Sequence, residues 1–503
     1  MDPLTKIKKS VSIFAITLVV TRFGLVPMAQ AVVPPPGGSY PNFNTAEGKN
    51  ALFSLTTGAA NTAVGWYSLF SNAAGSFNTA TGAGTLLFNT ADGNTAFGAA
   101  ALLFNTDGAD NTAVGTAALL NNTTGGINTA LGSGALRSNM DGNLNTAIGA
   151  EALFSNSAGN GNTANGSQAL FSNTVGSDNV AIGNGALFEN TGGGSNTATG
   201  SQALFDNTTG SYNTAIGFQT LVFNTTGSQN TATGWSALAH NTAGDFNTAN
   251  GFDSLRNNDT GFQNVAMGYQ ALLNNTEGFK NTANGYRALI NNTGSGNTAL
   301  GYLAGSNLTV GDDNICIGSD GVEGDAGVIR IGRNFIGAAY IAGISGQTAS
   351  GGAAVFVNSD GKLGTNTSSA RFKEEIKPMG EASEAILALK PVSFRYKKHI
   401  DPRGTSQFGL VAEDVEKVNP ELIIRDQDGK PHMVRYEQIN AMLLNEFLKE
   451  HKKVQQLEAS LAEQRKDFRA AIAELKKETD VKIQKVTAQI KLNKTSSRIV
   501  VKD

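Results

Sequence analysis

The stretch NTAIGAEALFSNSAGNG, Asn145 to Gly161, is one copy of a unit that opens on Asn-Thr-Ala-x-Gly. The unit begins at residues 44, 61, 78, 94, 111, 128, 145, 162, 179, 196, 213, 230, 247, 264, 281, 297 and 314. Of the sixteen intervals, fourteen are 17 residues and two are 16. A unit this short cannot bury its own apolar face, whereas stacked units share one continuous core. The fold class expected is therefore mainly β: a parallel β-solenoid, or β-roll, of 17-residue repeats over 44–318. At ~4.8 Å per coil, its seventeen coils would make a rod of about 80 Å.

Each slot of the unit has a physical reading. Asn holds the first slot and Gly the fifth in all seventeen copies. Glycine takes backbone angles that a Cβ forbids, as a tight corner requires. Stacked Asn side chains can pair amide to amide along the axis. The second slot is Thr in fourteen copies and Val180, Val265 or Ile315 in the rest, so it is always β-branched and suits a strand. The third is Ala in sixteen copies and Cys316 in the seventeenth, which places the lone cysteine in a small buried slot. Leu fills the ninth slot in fifteen copies and supplies the core stripe. Periodicity leaves open whether the Ala-Leu-x-x-Asn segment is a second strand or one helical turn.

These repeats resemble the left-handed β-roll heads of trimeric autotransporter adhesins, whose shorter units also turn on Ala-x-Gly. The resemblance implies three parallel chains. A fourth slot that alternates Ile148, Ile182, Ile216 and Met267 with Asn165, Thr199, Thr233 and Asn250 fits a partly covered surface.

Charge divides the chain. Lys and Arg number 4 in residues 1–31, 8 in 32–367 and 26 in 368–503. Net charge is −3, so electrostatics predicts no nucleic-acid partner and no anionic membrane surface. Lys6, Lys8 and Lys9 precede the apolar run Val11 to Val20, and Ala29-Gln30-Ala31 follows as a small-x-small cleavage site. Residues 1–31 thus read as a secretory signal peptide, 32–43 as a Pro/Gly-rich linker, and the mature protein as secreted or at the cell surface. Arg22 interrupts the run before it could span a bilayer, so no transmembrane anchor is expected. No His, Asp or Glu cluster recurs in the rod, and neither metal nor cofactor is expected.

After Gly318 the period fails. Val328–Ile331, Ala339–Ala342 and Ala354–Val357 read as short strands, and Asn358-Ser359-Asp360-Gly361 as a hairpin turn. Residues 319–367 are expected to form a β collar. Beyond it, Glu381 to Leu389 is helix-like and Val392 to Tyr396 alternates like a strand. Phe408 to Val418 is amphipathic, and Asp426 to Gly429 reads as a turn. A helix without Pro or Gly runs from Tyr436 to about Leu492. Its Phe447, Val454, Leu461, Phe468 and Leu475 fall seven apart, a coiled-coil pattern with one later stutter. Residues 368–435 are then an α+β core, 436–492 the coiled coil and 493–503 a disordered tail.

The joint between neutral body and charged tail is SSARFK, Ser368 to Lys373. A serine hydroxyl becomes a nucleophile only where a base removes its proton, and a lysine serves when its neutral form is favoured. On a straight helix the two positions would lie about 140° apart, so they meet only if Ser368 sits in an extended arm before the helix. The competing reading is an N-cap serine with Glu374 or Glu375 in the first turn.

Ser-x-x-Arg-x-Lys followed by Glu-Glu-Ile-Lys-Pro resembles the start of the intramolecular chaperone domain of endosialidase tail spikes and other phage fibres. A related domain occurs in the myelin regulatory factor. The resemblance continues through Phe408–Leu422 and Tyr436–Glu458, covering about 368–460. It implies a domain that trimerises the fibre ahead of it, then cuts the chain before its serine and leaves the fibre kinetically trapped. Ser368 would be the nucleophile, Lys373 the base, Arg371 a supporting charge and Thr367–Ser368 the scissile bond. The family usually has Asp after the serine where this chain has Ser369, so Ser368 and Ser369 share the register. The function expected is a secreted, homotrimeric, fibre- or adhesin-like protein with a single-turnover, self-cleaving serine endopeptidase at its end. Its alternative is a non-catalytic structural adhesin trimerised by its coiled coil. The sequence ends without amphipathic strands after the coil, so the β-barrel anchor of autotransporters is not expected.

Overall fold

The structure, a computed structural model, describes residues 40–333, 341, 350–358, 361–426 and 428–496. The signal peptide, most of the linker, the strand expected at 339–342 and residues 497–503 of the tail lie outside the described residues, apart from Ile341. The chain divides into two compact units, one ending at Tyr340 and one beginning at Ile341.

The first unit is the expected parallel solenoid. Eighteen strands, from β1 (Thr45–Glu47) to β17 (Ile315–Ile317) and β18 (Ile329–Ile331), form one sheet in chain order. Each of the first seventeen strands is the second to fourth slot of one unit, mostly Thr-Ala-x, and identical slots face each other: Thr146 lies opposite Thr163 and Ala147 opposite Ala164. β18 extends this sheet, so the solenoid runs one strand past the residue where the period fails and the collar was expected to begin. Parallel pairing needs extended backbone and a matched register, and Ile329-Arg330-Ile331 supplies both, with Val328 where the repeat has Asn and Gly332 still in the fifth slot, its N–H on the Ile317 carbonyl at 2.8 Å.

The Ala-Leu-x-x-Asn segment is neither strand nor helical turn. Left-handed backbone occurs at its Leu153, φ 51°, and at Glu151 just before it, φ 56°, with Ala152 between them outside that region. This alternation aims the amides along the rod axis. The N–H of Glu151 bonds to the Ser133 carbonyl of one neighbouring coil at 2.9 Å, and that of Leu153 to the Ala169 carbonyl of the other at 2.9 Å. Ala147, Ala152 and Leu153 are fully buried and repeat as the core of every coil near them.

Two asparagine rows support the stack. In the first slot the side-chain oxygen of Asn128 accepts from the backbone N–H of Asn145 at 2.9 Å, so the main link is amide to backbone. In the twelfth slot the pairing is amide to amide, Asn156 Nδ2 to Asn139 Oδ1 at 2.8 Å. Both Asn145 and Asn156 donate to the carbonyl of Gly159, at 2.8 and 3.0 Å. A Cβ at Gly159 would fall 2.3 Å from the Gly176 carbonyl oxygen and 2.5 Å from Asn156 Oδ1. The 16-residue coil that starts at Asn78 loses its residue at this corner. Ala91 then supplies the shared carbonyl to Asn78 and Asn89, at 2.9 and 2.8 Å, and Thr79 still faces Thr95.

The second unit is α+β. Phe356–Val357 and Leu363–Gly364 form a small antiparallel ladder, the described part of the expected collar hairpin. Gly380–Ala388 is a 3-10 helix where a helix-like segment was expected. Val392–Phe394 pairs antiparallel with Gln407–Gly409. Phe408 therefore lies in a strand, and the helix expected from it begins four residues later as α1 (Ala412–Val418). Ile423–Arg425 and Pro431–Val434 make a hairpin. At its turn Asp426 Oδ1 accepts from the N–H groups of Asp428 and Lys430 at 3.0 and 2.9 Å, which fits the turn reading. The long helix α2 spans Tyr436–Ser496. Val415, Leu422, Ile423, Val434 and Met442 form the core that joins these elements.

Candidate functional site

Residues 365–369, Ser368 among them, stand outside regular structure, as the arm that leads into the tail. Ser369 is extended, with φ −65° and ψ 139°, and occupies the N-cap of a short 3-10 turn, Ala370–Phe372. Its hydroxyl makes no capping bond, and the turn ends before Glu374 and Glu375. The N-cap reading is thus met in the position of Ser369, but not in a capping bond or in a first turn that holds Glu374 or Glu375. Lys373 follows in extended backbone, with φ −127° and ψ 140°. Arg371 folds onto Phe372, its guanidinium carbon 4.6 Å from the ring centroid. Pro378 bars Lys377 from helical backbone, so the turn cannot propagate into a helix.

Ser368, Arg371 and Lys373 are all exposed. Among the described residues, Ser368 and Lys373 share no hydrogen bond. The segment brings the two near in sequence, on either side of one tight turn, and does not join them. Their neighbours Phe372 and Ile376 are also exposed.

A polar clasp that no motif announced holds the next element. Ser383 is fully buried, donates to Glu446 Oε1 at 2.5 Å and accepts from Asn445 Nδ2 at 2.7 Å. Lys449 pairs with Glu446 at 2.8 Å and Glu384 at 3.1 Å. The hydrogen bonds from Lys449 and then Ser383 hold the Glu446 carboxyl below its ordinary range. These contacts tie the 3-10 helix that follows the serine segment to the start of α2. The partners lie more than sixty residues apart, which is why sequence spacing could not reveal them.

Beyond this clasp, α2 is bare. Phe447, Val454, Leu461, Phe468 and Leu475 are all exposed, at 66, 47, 49, 71 and 62%. In the first unit, burial raises the pKa of the Cys316 thiol, with Asp325 adding to the shift, in keeping with its place as a core filler. Among the described residues no three His, Cys, Asp or Glu side chains gather as metal ligands, and no helix is long and apolar enough to cross a membrane.

The chain thus joins a fibre-like parallel β-solenoid to a small α+β unit whose long helix leaves its heptad row uncovered. Residues 368–424 match a peptidase-family model described as "Chaperone of endosialidase", so the chain carries a domain of that family. The match begins at Ser368 and covers the first two of the three blocks on which the resemblance rested. No curated protein matches the chain.

Proposed function

We propose that this is a secreted, homotrimeric fibre- or adhesin-like protein whose tail assembles the solenoid and then severs it at Thr367–Ser368. The exposed seven-residue stripe of α2 carries the assembly half of this reading. An apolar row left in water over seven helical turns is stabilised by burial against identical helices, as a coiled coil. Alignment matters because near-identical coils bury similar area in any register, so three shafts left to themselves can pair one coil out of step.

The family match and the placement of Ser368 support the cleavage half. Lys373 Nζ takes the proton from Ser368 Oγ, which attacks the Thr367 carbonyl carbon. The carbon–nitrogen bond breaks as the proton passes to the Ser368 amine, and the acyl group is left on Oγ as an ester. Water hydrolyses that ester to free Thr367. Arg371 supports the dyad as a cation two residues from Lys373 in the sequence. Cleavage after assembly makes unfolding hard to reverse, a kinetic form of stability.

Intact mass spectrometry of the expressed protein tests this. Wild type should yield a body ending at Thr367, while Ser368→Ala and Lys373→Ala chains stay whole. The alternative, a non-catalytic adhesin trimerised by its tail, is favoured by the missing bond between Ser368 and Lys373 in the single chain. A trimer that never shortens would establish it.

A further inference from the structure

A groove runs along the solenoid between two rows of side chains, those of the eleventh and thirteenth slots. It holds about 890 Å³, a size within the roughly 300–1,000 Å³ of small-ligand sites. Phe88, Phe104, Asn121 and Ser138, from four successive coils, form the eleventh-slot wall. Thr106, Thr123, Met140 and Ser157 form the other. The rings of Phe88 and Phe104 lie 5.7 Å apart at 8°, so each turns a face along the rod axis. The next coil has Asn121 in this slot, so the ring stack ends at Phe104, whose far face is turned toward the coils of Asn121 and Ser138. On the opposite wall Met140 sets a half-exposed apolar side chain where most copies carry Thr.

The polar groups of the groove are unevenly committed. The hydroxyls of Thr106, Thr123 and Ser157 each donate to a carbonyl of the next coil, at 3.0, 2.9 and 2.9 Å, and so have only lone pairs left to offer. Among the described residues the side chains of Asn121 and Ser138 have no hydrogen-bond partner, and no Lys, Arg, Asp or Glu lines the groove. A ligand matched to this surface needs a flat apolar face, several hydroxyl donors and no charge. A pyranose meets all three, with its C–H face packed on an aromatic ring and its hydroxyls donating around the rim. A peptide fits worse, because its own carbonyl oxygens would meet the row of acceptors and lose their hydrogen bonds. We propose that the groove binds a neutral glycan, one sugar stacking on Phe104 in place of the next ring and hydrogen-bonding to Asn121. The site lies wholly within the solenoid and is independent of cleavage at Ser368.

A printed array of neutral and acidic oligosaccharides, probed with the full chain, tests this, followed by calorimetric titration of the best neutral hit. Phe104→Ala should weaken that hit about tenfold and Asn121→Ala about fivefold, the scales of a lost stacking partner and a lost hydrogen bond. Phe104→Trp keeps an aromatic face and should bind like wild type. The O-methylated form of the same sugar should not bind, since it has no donors for the acceptor row. If Phe104→Ala fails to fold, the Asn121→Ala chain and the O-methylated sugar decide. The absence of any neutral hit overturns the proposal, as does a hit indifferent to both alanine substitutions or an O-methylated sugar that binds equally well. An acidic glycan bound more tightly than every neutral one, or a phenylalanine-containing peptide that displaces the sugar and depends more strongly on Phe104, would assign the groove to another partner and overturn it too.

Discussion

The guanidinium of Arg330 closes on the Asp325 carboxylate through two parallel hydrogen bonds, Nε to Oδ2 at 2.5 Å and Nη2 to Oδ1 at 2.7 Å. In the sheet register Arg330 lies opposite Cys316, in the slot where the sixteen earlier coils carry alanine. The pair thus sets a charged lid at the last rung of an apolar core. A further coil packed on this rung would have to bury an ion pair, which carries a desolvation cost.

This lid should be acid-sensitive. The bond to Arg330 holds the Asp325 carboxyl below its ordinary range. A carboxyl depressed on folding contributes stability that is fully present above its unfolded value and is lost as pH falls through the folded one. Thermal melts of the solenoid followed by circular dichroism should therefore be flat near neutrality and fall below about pH 4. Asp325→Asn should cost about 1–2 kcal/mol at neutral pH and flatten that acid dependence.

Gly159 faces a different constraint. The nearest atoms to an added methyl are a carbonyl oxygen of the next coil and the amide of Asn156, and the carbonyl belongs to backbone that is itself pinned. Gly159→Ala should destabilise the solenoid by about 1–3 kcal/mol, the scale of overpacking. A melting temperature equal to wild type would show that the corner yields more than its hydrogen bonds suggest.

Asn156→Ala should cost a similar amount by the opposite route. It removes a donor to Gly159 and to Asn139, and the acceptor that Asn173 uses at 2.8 Å, leaving buried amides unpaired at about 1–3 kcal/mol each. Substituting an exposed residue of the same coil, Ala150→Ser, is the control and should be near neutral.

Leu461→Lys together with Phe468→Lys should leave the folded tail core intact but prevent trimers, as read by sedimentation of the full chain. If assembly precedes cleavage, the same chain should also stay uncut. A monomeric double variant that still loses its tail would separate the two events.

Ser369→Ala distinguishes the two adjacent serines. With Ser368 as nucleophile this chain still cuts, and its released tail begins Ser-Ala. No cut at all would move the reaction by one residue.

Much of the solenoid is written openly in the sequence because each slot is repeated and each repeat obeys the same constraint: β-branched at 146, small at 147, glycine at 149. The segment around Glu151 and Leu153 was not legible. Its alternation in and out of left-handed backbone has no hydrophobic period, and a buried leucine gives no hint that its φ is positive. Phe408 was misread for a related reason. A three-residue strand is defined by its partner, here Val392–Phe394, and an apolar pattern running into α1 masks it. At the site, the residues SSARFK were recognisable as a motif, while the turn that separates Ser368 from Lys373 is a backbone fact that composition does not encode.

The corner that closes at Ala91 in one coil and at Gly159 in another shows that the path between two rungs tolerates a missing residue while the rungs themselves stay aligned. Shaft length is therefore an adjustable trait. Duplicating or losing a whole unit in the gene would lengthen or shorten the fibre by one step, with no other part of the molecule redesigned, and reach could evolve independently of whatever the tail does.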